Sequence, residues 1–211
     1  MKINIASFFA ITLGCLAPGA HAASPYVETF NIDNDDQGWF AVTNATTSSV
    51  AQNPTTDRLD FSGSDYTLFY FGADAAASGG AFAGDLATAG IYGFQFDLTI
   101  NTGSQVSAMY FEITNLTEDE TWQYSLAVPA FGSDTSFFVP LGSATGWIQT
   151  SGSESFAFIL GQTEEVALAF SQTTSGNLNA SIDNITAVPE PSSIMIAGLG
   201  LLAALRRRRI A

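Results

Sequence analysis

Alternation of apolar and polar residues with a period of two recurs along this chain and constrains its fold more than any other feature. Phe94, Phe96, Leu98 and Ile100 interleave with Gln95, Asp97 and Thr99, and Met109, Phe111 and Ile113 interleave with Tyr110, Glu112 and Thr114. Trp122, Tyr124, Leu126 and Val128 obey the same rule, as do Phe156, Phe158 and Leu160, and then Val166, Leu168 and Phe170. Successive side chains of an extended backbone point to opposite faces, so each run predicts a strand with one buried face. The runs are separated by turn chemistry: Asn101-Thr102-Gly103-Ser104, Thr117-Glu118-Asp119-Glu120 and Ser151-Gly152-Ser153. Short strands at this spacing, without helical segments between them, predict an all-β protein: an antiparallel β-sandwich of jelly-roll type over residues 23–187. Ala73 to Gly84 is the softest stretch and is expected to be a surface loop, with a short helix as the alternative that Gly79-Gly80 discourages. The strand from Leu178 to Ile185 runs almost directly into Val188, leaving no long linker behind the sandwich.

At 211 residues the chain suits one domain. Charged residues make up 12% and hydrophobic ones 46%, which excludes a disordered polyelectrolyte. The bases are Lys2, Arg58 and the cluster Arg206, Arg207, Arg208 and Arg209, so Arg58 is the one cation of the body. A body this acidic repels nucleic acid and anionic membranes, whereas neutral sugars and divalent cations meet no such barrier. The body also lacks His, Cys and Lys. That removes Ser-His-Asp triads, cysteine nucleophiles, Schiff bases and His-ligated zinc. A carboxylate-pair glycosidase survives this elimination, although nothing in the sequence singles out the pair.

Both ends read as targeting segments. Lys2, the apolar run Ile5 to Leu16, the helix-breaking Pro18-Gly19 and the site Ala20-His21-Ala22 form a secretory signal peptide over residues 1–22, cut by signal peptidase after Ala22. A lipoprotein signal at Cys15, the chain's one cysteine, is the alternative, but Thr12 and Leu13 depart from its pattern. Residues 188–211 hold Val188, Pro189, Glu190 and Pro191, then the apolar run Ile194 to Leu205, then the four arginines. The twelve apolar residues would span roughly 18 Å as a helix, against about 30 Å of hydrocarbon, so they make a weak permanent anchor. The arginines stop transfer and stay cytoplasmic.

This tail resembles the PEP-CTERM sorting signal of Gram-negative bacteria. The resemblance implies recognition by exosortase, a membrane-embedded transpeptidase-like enzyme that cleaves at or near the motif. It also implies transient inner-membrane insertion through a short transmembrane helix, and final residence at the cell surface or in an exopolysaccharide matrix or biofilm.

In the body, Glu28-Thr29-Phe30, Asp36-Gln37-Gly38-Trp39 and Ser181-Ile182-Asp183-Asn184-Ile185 resemble the first and last strands of galactose-binding-like and laminin-B-like jelly rolls. Phe82-Ala83-Gly84-Asp85-Leu86 and Gly93-Phe94-Gln95-Phe96-Asp97-Leu98 strengthen the laminin-B-like version. Many such domains bind carbohydrate, and many hold a structural calcium, to which the matching positions here are Glu28 and Asp183. The neighbouring acids Asp33, Asp35 and Asp36 lack the ligand spacing and distal Glu of an EF-hand.

Aromatic faces stack on sugar rings, and Trp147, in Gly146-Trp147-Ile148, is the ligand-binding candidate, with Trp39 and Trp122 expected in the core. Which of Tyr66, Leu68 and Tyr70, or Thr67, Phe69 and Phe71, face inward is open, because both phases are aromatic. The expected role is non-enzymatic: a surface or matrix protein associated with exopolysaccharide and binding glycan. The alternatives are a structural or adhesive matrix component without a small ligand, and a secreted glycan-active enzyme.

Overall fold

The computed structural model describes residues 26–190; the leader and the tail from Pro191 onward, with their expected helices, lie outside it. The strands are β1 (Tyr26–Glu28), β2 (Phe40–Thr43), β3 (Thr47–Asn53), β4 (Arg58–Asp74), β5 (Ile91–Ile100), β6 (Ala108–Asn115), β7 (Glu120–Leu126), β8 (Asp134–Pro140), β9 (Trp147–Ser151) and β10 (Glu165–Pro189). One short helix, α1 (Phe156–Gly161), precedes β10. Every pairing is antiparallel.

Strands β4 and β10 are long enough to serve two layers. They pair from Glu165 opposite Asp74 to Ile182 opposite Leu59, with the register slipping between Ser171 and Leu178. Before that slip β10 lies between β4 and β6, and the first layer runs β2-β4-β10-β6-β7-β9. After it β10 lies between β4 and β5, and the second layer runs β3-β4-β10-β5-β8. Strand β1 joins the end of β10 with Tyr26 opposite Ala187, so the chain enters and leaves the sandwich at the same end.

The period-two residues fill the space between the layers. Phe69, Phe71, Phe111, Ile113, Val166, Leu168 and Phe170 are buried from the first layer, and Leu59, Phe61, Phe94, Phe96, Leu98 and Ile182 from the second. Aromatic rings join the two. Phe61 stacks on Phe71 with centroids 4.4 Å apart and planes 9° from parallel, and Phe94 stacks on Phe111 at 5.1 Å. The ambiguous segment of β4 is thereby resolved: Tyr66, Phe69 and Phe71 point inward, Leu68 and Tyr70 outward. Leu59, Phe61, Phe69 and Phe71 share one phase, and Tyr66 departs from it at the bend, next to Asp65 with its positive φ of 55°.

Two expectations are corrected. Ala73 to Gly84 is not a surface loop: Ala77, Ala81, Phe82 and Ala83 are buried, and Ser78 N donates to Gln37 O at 2.8 Å. Phe82 draws the segment inward by packing edge-on against Tyr26 and Trp39. Phe156 to Leu160 is a helix rather than a strand. Ser155 caps it by accepting from Phe158 N, and Phe156 and Ile159, three apart, share its buried side.

A buried polar chain ties the first strand to this segment. Trp39 Nε1 donates to Ser78 Oγ at 3.0 Å, and Ser78 Oγ donates to Glu28 Oε2 at 2.7 Å. Glu28 Oε1 accepts from Thr29 N and Phe30 N, each at 3.1 Å, and Oε2 also accepts from the Tyr26 hydroxyl. Glu28→Ala strips these donors of their acceptor, and a loss of roughly 2–4 kcal/mol in urea unfolding is expected.

Candidate binding cleft

The outward-facing positions of the first layer form three cross-strand rows. One holds Val42, Tyr70, Ala169, Tyr110 and Ser125; the next holds Gly72, Ala167, Glu112 and Gln123; the third holds Asp74, Glu165, Thr114 and Thr121. The small residues Gly72, Ala167 and Ala169 sit on the central strands, and larger side chains flank them. The result is an open cleft of about 530 Å³, walled by Tyr70, Glu112, Glu165, Gln123, Thr114, Leu116 and Val42, with Thr150 and Ser151 at its β9 side. Gly72 leaves no room for a side chain beside the cleft: a Cβ there would come within 2.9 Å of Val166 O and 3.3 Å of Glu165 Oε1.

Two carboxyl groups of the cleft are poorly compensated. Burial pushes Glu112 up to about 7; a hydrogen bond from Gln123 Nε2 at 2.5 Å pulls the other way, and the nearby Glu165 adds to the rise. Burial, then Asp74, raises Glu165. Burial followed by these two glutamates raises the Tyr70 hydroxyl. No cation relieves them among the described residues. Arg58 is committed to the outer face of the second layer, where Nη2 meets Asp134 Oδ1 at 2.9 Å and Asp97 O at 3.3 Å.

A third buried carboxylate has the opposite surroundings. Glu120 is fully buried, and its desolvation works to raise its pKa, but donors from Glu154 N, Gln149, Trp122 and Ser153 N outweigh that and hold it below the usual range. The donors at 2.9 Å from Glu154 N and 2.8 Å from Ser153 N fold the loop after β9 around it. Gly152 must be glycine here: its φ is +84°, and a Cβ would lie 1.9 Å from Glu120 Oε2.

The sequence-derived candidates fall elsewhere. Trp147 is a correction: it is 6% exposed, packs against Phe111, Tyr124 and Phe156, and donates from Nε1 to Pro140 O at 2.9 Å, so neither ring face is free for a sugar. Trp39 is core as expected, and Trp122 is half-buried against Phe156 with Nε1 on Glu120.

Glu28 and Asp183 do not converge. Glu28 faces Ser78, whereas Asp183 accepts from Asn184 N at 2.7 Å and has Arg58, Asp97 and Asp134 as its charged neighbours. Asp35 and Asp36 cap their own turn through Gln37 N and Gly38 N. Among the described residues no three His, Cys, Asp or Glu side chains are grouped to hold a metal ion. Ala20, Ala22, Pro191 and Arg206 to Arg209 lie outside the described residues. Val188 and Pro189 are the end of β10, opposite Gly93 and Ile91.

Sequence reasoning missed Tyr70, Glu112 and Glu165. A signal for them was present in the outward phase of Val166-Ala167-Leu168-Ala169-Phe170, where two alanines replace the polar residues of an ordinary exposed face.

Comparisons with known proteins agree with this architecture. Residues 187–209 match the PEP-CTERM protein-sorting motif, so the chain carries a signal for export and for a membrane-associated sorting intermediate. No curated protein sequence matches the chain. Among solved structures it is similar to the family 11 carbohydrate-binding module from Clostridium thermocellum, in complex with a β-1,3-1,4-mixed-linked tetrasaccharide. That match has a TM-score of 0.50 and 12% identity and covers 80% of this chain and 98% of the module. It is also similar to the L4b domain of human laminin α-2, with a TM-score of 0.51, 14% identity and coverage of 80% and 99%. An exo-β-agarase matches with a TM-score of 0.53 and 12% identity, over 81% of this chain but 26% of the agarase. At these identities the likeness establishes the fold: a β-sandwich of the jelly-roll kind.

Two outcomes follow from the carboxyl groups. A carboxyl whose folded pKa is raised contributes stability that is present below its unfolded pKa and is lost as pH rises through the folded value. Stability is therefore expected to fall between about pH 4.5 and pH 7 at Glu112. Glu112→Gln should remove up to about 3 kcal/mol of that fall, read from unfolding midpoints at pH 4.5 and pH 8. Gly152→Ala should destabilise by roughly 2 kcal/mol or more in the same assay, since it forces both a strained φ and a collision with a buried carboxylate.

Proposed function

We propose that this protein is a non-enzymatic glycan-binding component of the cell surface or exopolysaccharide matrix, delivered there by its sorting signal and processed by exosortase on the way. The observation that carries the binding reading is the cleft on the outer face of the first layer. It combines the aromatic wall Tyr70 with hydrogen-bonding groups on adjacent strands, among them Glu112, Thr114, Gln123 and Glu165. Sugars ask for that mixture: aromatic faces for their C–H surfaces and convergent polar groups for their hydroxyls. A similar sandwich binds a mixed-linked tetrasaccharide, which supports the reading by analogy of fold. The acidic cleft favours neutral chains over polyanionic ones.

Glu112 and Glu165 also place two carboxyls in one cleft, both raised by burial, and glycoside hydrolysis uses a carboxyl pair, so catalysis is the second reading. Calorimetry with mixed-linked β-glucan, agarose oligosaccharides and the host's own exopolysaccharide separates the readings. Binding by at least one, weakened five-fold or more by Tyr70→Ala and by Glu165→Gln (about 1 kcal/mol each), is expected, with no release of reducing ends. Absence of binding to all three would leave a purely structural or adhesive role. New reducing ends that vanish in Glu165→Gln would establish the enzyme.

A further inference from the structure

The cleft holds more negative charge than a site for neutral sugars requires. Glu165 of β10 lies opposite Thr114, and Ala167 opposite Glu112 of β6, so the two glutamates stand one row apart on paired strands, within reach of each other's side chains. Both line the open cleft together with Tyr70. Glu112 is only 5% exposed; Gln123 donates to its Oε1, while Oε2 has no donor among the described residues and keeps access to the cleft. Glu165 is desolvated beside the like charge of Asp74, and no donor among the described residues offsets this.

Elsewhere the fold furnishes donors to its acids. Glu164, the preceding residue, accepts from Leu116 N at 2.8 Å, from Thr117 N at 3.0 Å and from the Thr117 hydroxyl at 2.6 Å. The cleft pair lacks such partners, and Arg58, the one basic side chain among the described residues, is paired with Asp134 on the other layer. A ligand that fills the cleft must therefore bring the positive charge that the protein withholds. A metal ion fits poorly, because among the described residues no three acids are grouped to hold one. An organic ammonium fits well: its three N–H donors can be shared by two carboxylates, and its charge is attracted to an aromatic ring such as that of Tyr70.

We propose that the cleft takes a cationic glycan, a chain of hexosamine units with free rather than acetylated amino groups, and seats one ammonium between Glu112 and Glu165. This inference rests on the glycan-binding reading and names its sugar class. A neutral chain would strip water from both carboxylates and return no charge to them. An N-acetyl group offers one N–H in place of three and is uncharged.

The test is calorimetry on the purified full chain with a glucosamine tetramer, its fully N-acetylated counterpart, a mixed-linked β-glucan tetrasaccharide and tetralysine. The glucosamine tetramer should bind about ten-fold or more tighter than the acetylated one, with an affinity that falls several-fold between about 0.05 M and about 0.5 M salt. Glu112→Gln and Glu165→Gln keep the side-chain shape, and each should narrow the preference for the free amine about three-fold or more. An unchanged preference in both variants overturns the assignment of these two residues. Equal or tighter binding of the acetylated tetramer or of the glucan overturns the inference and leaves the glycan reading standing, whereas binding of none of the three sugars overturns both. Tetralysine bound as tightly as the amino sugar would reveal a trap for any cation, and that outcome also overturns the inference.

Discussion

The continuous pairing of β4 with β10 is the constraint on which everything else rests. A straight strand of 25 residues would extend about 80 Å, far more than one layer of a domain this size can use. The pair therefore bends where its register slips, between Ser171 and Leu178, and supplies the middle of both layers. Its inner side carries the aromatic residues that close the core. Its outer side, before the bend, carries the small residues of the cleft floor. Its last residues carry the start of the sorting signal. Core, cleft and the start of the sorting signal all lie along one long-range strand pair, and disturbing its register would move all three together.

The buried carboxylates divide into two kinds, and the division separates architecture from function. Glu28 and Glu120 are surrounded by donors: backbone N–H groups, a serine or tyrosine hydroxyl, an indole or an amide. Such groups are satisfied, and they fix the loops that satisfy them. Glu112 has one donor, Gln123, and a like charge beside it, and it faces open space. A fold that otherwise furnishes its buried acids with partners leaves this one short where a ligand can reach it. That contrast, more than acidity as such, sets the cleft apart from the rest of the outer surface.

The first and last described residues of the sandwich lie side by side. Tyr26 opposite Ala187 places the entry and the exit of the chain on the same end of the sandwich. The cleft lies on an outer sheet face built from the middle of the chain, so it is assembled from residues that neither targeting segment contains.

Much of this was legible in the residues themselves. Period-two patterning at Phe94 to Ile100, Met109 to Ile113 and Val166 to Phe170 defined strands and their buried faces, because side-chain direction in a strand follows from local geometry alone. The sorting motif was legible because it is carried by one contiguous stretch of residues. Tertiary structure decided what depends on packing between distant segments. Trp147 became core because Phe111, Tyr124 and Phe156 enclose it, and the stretch near Phe82 was pulled inside by Tyr26 and Trp39. Phe156 to Leu160 fits strand and helix patterns alike over so few residues, and Ser155 with the burial of Ile159 settled it as a helix. The cleft joins β4, β6, β7 and β10, so Tyr70, Glu112 and Glu165 meet only through long-range register. Local alternation determined which side of each strand is wet; only the tertiary pairing determined which wet sides lie next to one another.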